Sequence, residues 1–147
     1  MTTPTSLIAR ILLPAVALAL TAFGVSGRPL DEVVASKLLR AAVYEDNAPF
    51  SFRRDGKMTG IDVDIATALA KALGVEVELI ARMQGEDVDT DLRANVWKGP
   101  LLGGGVGDVM MHVPLDRELA LRNREAVLAN PYFEQRIALG YDPAKSR

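Results

Sequence analysis

Arg117, His112 and the run from Tyr44 to Phe50 hold the side chains of this 147-residue sequence best suited to recognising a small molecule. A guanidinium is a planar fork that grips a carboxylate through two parallel hydrogen bonds, which makes Arg117 the sharpest candidate for holding an anion. Tyr44, Asn47 and Phe50 combine aromatic surface with a polar handle, as a wall against a small polar solute would. His112 ends the apolar run Val109-Met110-Met111 and is a candidate ligand contact. It is the sole histidine, so a multi-histidine metal site within one chain is excluded. The absence of cysteine removes thiolate nucleophiles, disulfides and cysteine-based zinc sites together. Gly103-Gly104-Gly105 reads as an anion-binding nest or a plain flexible turn, and it lacks the Lys-Ser/Thr of a P-loop. Asp62 and Asp64 invite an acid–base reading, but their place at a helix start favours capping of free amides.

Elements that would position these groups follow from periodicity. Leu30 to Lys37 suits a short helix, and Leu38 to Val43 a buried strand closed by the turn residues Asp46-Asn47-Ala48-Pro49. Phe50-Ser51-Phe52, the tight-turn pair Asp55-Gly56 and Met58 predict a small hairpin. Ile61, Ile65, Leu69 and Leu73, or alternatively Ala68 and Ala72, paint one stripe on a helix that Gly74 stops. Val75 to Leu79 then alternates with a period of two, so strand, helix and strand form a βαβ unit. Further on, Asp89-Thr90-Asp91 would start a helix carrying Leu92, Val96 and a core-packed Trp97, ended by Gly99-Pro100. Val106 to Met111 reads as a third strand, Asp116 to Leu128 as a helix and Arg136 to Tyr141 as a final strand. The loops at the carboxyl ends of parallel strands are where binding groups converge. Tyr44 to Phe50, the stretch between Leu79 and Asp89, and Met111 to Arg117 are three such loops.

Hydrophobic residues at 49% suffice for a core, and a net charge of −2 with scattered basic residues gives no basic face for nucleic acid. At the amino end Arg10 precedes the apolar run Ile11 to Phe23, which is followed by the small residues Gly24-Val25-Ser26-Gly27. That order describes a secretory leader. The run is short for a membrane span of about 20 apolar residues. We expect residues 1–27 to be a cleaved signal peptide, with an uncleaved anchor as the alternative, and the protein to be exported to the periplasm.

The order of motifs resembles the opening of the family 3 extracellular solute-binding proteins. Ala42-Val43-Tyr44-Glu45-Asp46-Asn47-Ala48-Pro49-Phe50-Ser51-Phe52 is similar to the family's strand and Pro-Phe-x-Phe loop. Asp55 to Ile65 is similar to its hairpin and Gly-Ile-Asp-Val-Asp helix start. Trp97, Leu101-Leu102, Gly107-Asp108-Val109-Met110, Asp116-Arg117-Glu118 and Asn130-Pro131-Tyr132-Phe133 follow in the family's order, so the resemblance runs from about Leu38 to Tyr141. It implies the α/β fold of a type II periplasmic binding protein, with residues 28–147 as a first lobe built on a mainly parallel sheet and ending before a second lobe. Such a lobe, whether a fragment or a natural truncation, is expected to expose an apolar patch. The resemblance further implies capture of a small polar solute, such as an amino acid or organic acid, for an ABC permease, with Arg117 on the ligand carboxylate. No cofactor and no catalysis are implied. Asp108 to Pro114 also resembles binding-protein relatives that serve periplasmic quinoprotein alcohol dehydrogenases, and periplasmic cyclohexadienyl dehydratases share the fold.

Overall fold

Leu38–Tyr44 (β1) becomes the central strand of a parallel sheet in the computed structural model, which describes residues 27–136, 138–142 and 144. The expected leader, apart from Gly27, lies outside the described residues. A short helix, Leu30–Ser36 (α1), leads into β1, and a three-stranded antiparallel sheet follows it: Asp46–Asn47 (β2), Ser51–Arg54 (β3) and Lys57–Thr59 (β4). Then come Ile61–Leu73 (α2) and Glu76–Arg82 (β5). Val88–Leu92 (α3) runs on into a wider π turn at Arg93–Trp97. Val109–Met110 (β6) and Arg117–Arg122 (α4) are the last regular elements among the described residues.

The parallel sheet has the order β5-β1-β6. β1 pairs with β5 in register from Leu38 opposite Glu76 to Tyr44 opposite Arg82, and with β6 only at Ala41–Val109 and Ala42–Met110. The β1-α2-β5 crossover is the expected βαβ unit. Gly74 ends α2 in the left-handed region at φ 68°, its N–H returning to the carbonyls of Ala70 and Lys71.

The stripe that α2 buries differs from the expected one. Val63, Ala66 and Ala70 face the sheet, with Ala66 at 0% and Ala70 at 2% exposure, whereas Ile61 and Leu69 remain about 40% and 39% exposed. Small side chains let the helix approach the strands closely, so the alanines pack on Ala41, Val43 and Leu39 while the larger residues lie to the side. Burying Leu39, Val43 and Leu92 contributes about 1.5–3 kcal/mol each. Trp97 is only half-buried rather than a core residue, and Phe52 is half-buried under the Arg54 guanidinium, 5.1 Å from its ring centroid.

Asp108 carries the approach to β6. Its carboxylate accepts from the Arg40 backbone N–H at 2.8 Å and from Arg28 through Nε at 3.0 Å and Nη2 at 2.7 Å. The Asp108 backbone N–H in turn donates to the Arg40 carbonyl at 2.8 Å. A side chain at Gly107 would stand 2.8 Å from the Val109 carbonyl oxygen, so only glycine fits. The strand expected over Val106 to Met111 therefore shortens to two residues. The helix expected to reach Leu128 stops at Arg122, because Asn123 turns inward and its amide donates to Asp89 Oδ1 and to the Leu119 carbonyl. The expected strand at Arg136 to Tyr141 does not form among its described residues, which are exposed and have no neighbouring strand to pair with. Leu101, Leu102, Leu115 and Leu139 are exposed large apolar side chains. Among the described residues no helix is long and apolar enough to cross a membrane.

Candidate functional site

Two loops at the carboxyl edge of the sheet bring candidate side chains into contact. The first leaves β1 at Tyr44 and reaches Phe50 through a turn closed by the Phe50 N–H on the Asn47 carbonyl at 2.8 Å. The second leaves β6 through Met111 to His112, which adopts φ 59°. The rings of Phe50 and His112 meet at 4.2 Å between centroids, tilted by 43°. Phe133 then stands edge-on to Phe50 at 4.8 Å. A wall of three rings from three separate segments results.

Behind this wall lies Asp62, fully buried in the first turn of α2. Gly60 is the residue that caps the helix, and Asp62 makes no capping bond. Its Oδ1 instead accepts from the Tyr132 hydroxyl at 2.8 Å, and that hydroxyl oxygen accepts from the His112 backbone N–H at 2.7 Å. Asp62 Oδ2 has no hydrogen-bond partner and lies 3.7 Å from His112 Nδ1. The helical geometry held the signal for this. Residues two apart on a helix point in nearly opposite directions, and here Asp62 turns inward while Asp64 is exposed.

Tyr44 is placed differently from the expected wall. It is 4% exposed, and its hydroxyl donates to Asp91 Oδ2 at 2.7 Å. Asp91 is buried in α3 and also accepts from the Gly85 N–H at 3.1 Å, so it pins the loop after β5 against the end of β1. Asn47 is half-buried in β2, and Arg117 is exposed at the first turn of α4. The structure thus joins Phe50 and His112 directly and keeps Asn47 on the same turn as Phe50. It ties Tyr44 to Asp91 and leaves Arg117 on the surface five residues beyond His112. Around Gly103-Gly104-Gly105, the Gly105 carbonyl accepts from Arg82 Nη2 at 2.8 Å. Asp62, Asp91, Tyr132 and Phe133 contact these side chains and were not among the binding residues expected from the sequence. A cavity of about 1170 Å³ opens beside β6, lined by His112, Val113, Ile65 and Leu69 and, across from them, by segment 125–135.

Two phenols titrate late. Burial, and then the hydrogen bond to Asp91, push the Tyr44 hydroxyl well above the ordinary tyrosine range. Burial and the bond to Asp62 do the same for Tyr132. Both folded values are raised, so the folded state holds these protons more tightly than the unfolded chain. The stabilisation is fully present below about pH 10, where unfolded tyrosine ionises, and is lost as pH rises above it. For the buried Tyr44 the slope is about 1.4 kcal/mol per pH unit. A urea midpoint that falls steeply between pH 10 and 11.5, and falls less in Tyr44→Phe, is the expected result. Identical slopes in the two proteins would remove Tyr44 from this account.

Residues 39–97, from β1 through the π turn, match the family model of the bacterial extracellular solute-binding proteins, family 3. Over 52 residues the chain is 40% identical to the cyclohexadienyl dehydratase of Pseudomonas aeruginosa, a match spanning 35% of this chain and 19% of that protein. An ancestral cyclohexadienyl dehydratase of solved structure shares 42% identity, with 44% of this chain and 27% of its own covered, at a TM-score of 0.40. The arginine-bound form of domain 1 of ArgBP from T. maritima shares 30% identity, with 42% and 49% covered, at a TM-score of 0.38. The chain therefore spans about a fifth of the curated relative it matches. The family model thus matches the chain from Leu39 to Trp97, and that partial coverage fits the N-terminal lobe of such proteins.

Proposed function

We propose that residues 28–147 form one jaw of a periplasmic solute-binding protein that captures a small polar solute, such as an amino acid or an organic acid, for an ABC importer. The observation that carries this reading is the contact between Phe50 and His112. Two strand-end loops far apart in sequence converge there, at the edge where ligands of open parallel sheets bind. In this reading Phe50 and His112 supply the wall and Asn47 a polar contact. Tyr44 holds the wall's support through Asp91, and Arg117 reaches a ligand carboxylate from the start of α4. Export through a cleaved leader at residues 1–27 and delivery to an inner-membrane permease belong to the same proposal.

Calorimetry of the purified chain against the common amino acids and small dicarboxylates tests it. Binding to at least one, weakened about tenfold or more by Phe50→Ala and by His112→Ala, is the expected outcome. Heats at the dilution baseline for the whole panel would sink it. The identity to a cyclohexadienyl dehydratase favours one second reading, catalysis on a cyclohexadienyl acid. Phenylpyruvate appearing from prephenate would replace capture with that reaction. A gene neighbourhood of quinoprotein dehydrogenase and cytochrome c rather than permease and ATPase would redirect the partner, not the fold.

A further inference from the structure

Segment 130–133 carries no helix or strand, yet it lies on the Phe50 face of the site. Among the described residues, both polar contacts that tie it to the rest of the fold run through one atom, the Tyr132 hydroxyl oxygen. It donates to Asp62 on α2 and accepts from the His112 N–H beyond β6. Phe133 adds an apolar contact by standing edge-on to Phe50. The second Asp62 oxygen is fully buried and unpartnered, facing His112 Nδ1 across 3.7 Å. A buried carboxylate oxygen without a partner is costly, and the gap is too long for a hydrogen bond.

We propose that Asp62, Tyr132 and His112 form a pH-responsive clasp that holds segment 130–133 over the Phe50 wall and so regulates access to the proposed solute site. The regulatory role rests on the capture reading; the clasp itself does not. A proton on His112 sets a positive charge against Asp62 Oδ2 and draws Nδ1–H toward the oxygen that has no partner. The clasp is then tighter with His112 charged and looser with it neutral. Asp62 from α2 and Tyr132 from the segment are the titratable groups facing His112. Phe50 from the β2–β3 turn faces it without charge, and Phe133 lies against Phe50. When the clasp is closed, Phe133 occupies ring surface of Phe50 that a solute would use, so opening precedes full access.

Amide hydrogen exchange of the full chain, expressed as protection factors at pH 5.5 and pH 8, tests the clasp without any ligand. In the wild type the His112 amide and residues 132–133 are expected to be protected, about fivefold or more strongly at pH 5.5. Tyr132→Phe is expected to cut that protection about tenfold while β1 and β5 stay as in the wild type. His112→Gln keeps the backbone N–H and its bond to Tyr132, so protection at pH 8 persists and the pH response vanishes. Unchanged protection in Tyr132→Phe, or a pH response that survives in His112→Gln, overturns the proposal. If Tyr132→Phe also loses protection in β1 and β5, Phe133→Ala takes its place. Loosening of 132–133 with intact strands then supports the clasp, and no loosening overturns it. Because no solute is added, failure here leaves the calorimetric outcome untouched, and the reverse holds too.

Discussion

Gly60→Ala is expected to lower the stability of the chain by more than about 3 kcal/mol, a large share of the 5–15 kcal/mol that a folded domain has in hand. Gly60 sits at φ 125° and ψ 179°, a region that side-chain-bearing residues essentially never enter. A β-carbon built there would lie 2.3 Å from the Phe50 carbonyl oxygen and 2.8 Å from that of Pro49. Both obstacles are backbone, so neither can rotate away. The two carbonyls are also fixed, because Ile61 N–H donates to Pro49 at 3.3 Å and Asp62 N–H to Phe50 at 2.8 Å. Relieving the clash means pulling the β2–β3 turn off the first turn of α2, which separates Phe50 from His112 and uncovers Asp62. Urea unfolding followed by far-ultraviolet circular dichroism measures the effect. A loss under about 0.5 kcal/mol would show that the turn and helix are not locked together in the way described.

The second large effect is expected at Asp108. With a side chain only 5% exposed, it satisfies the Arg40 N–H and both reaching nitrogens of Arg28 at once. Asp108→Ala removes the acceptor of the Arg40 N–H and the counter-charge of Arg28, whose Nη1 and Nη2 keep only Ser36 Oγ and the Leu38 carbonyl. Truncating one partner of a buried ion pair costs about 3–5 kcal/mol. Asp108→Asn keeps an acceptor for Arg40 but loses the charge opposite Arg28, so its cost is smaller, about 1–2 kcal/mol. The ordering wild type, Asn, Ala in urea midpoint is the diagnostic. Asn and Ala variants of equal stability would mean that the backbone contact, not the ion pair, holds the approach to β6.

What the sequence disclosed was chiefly local. β1, α2 and β5 follow from short apolar runs, a three-to-four spacing and Gly74, all read within a dozen residues. Which face of α2 turns inward was not local. An alanine-rich helix with Ile61, Ile65 and Leu69 on one side offers two plausible stripes, and the close approach of the sheet selects the one with small residues. The same holds for the site. Phe50 and His112 were legible as strand-end residues, but the partners Asp91 and Asp62 lie 47 and 70 positions from Tyr44 and Tyr132, respectively. No periodicity reports a hydrogen bond between such distant groups. The final strand expected at Arg136 to Tyr141 fails for a related reason. A strand is made by its neighbour, and alternation alone does not supply one.

The unequal pairing of β1 also bears on the order in which the chain assembles. Its seven-residue ladder with β5 closes within residues 38–82, whereas its two-residue ladder with β6 must gather in a chain portion that begins beyond the π turn. Looping cost rises with the length of chain enclosed, and reward comes only with the contacts made. The first βαβ unit is therefore the expected nucleus. The wall formed by Phe50 and His112 can be complete only after β6 has docked, so the proposed solute site is assembled late.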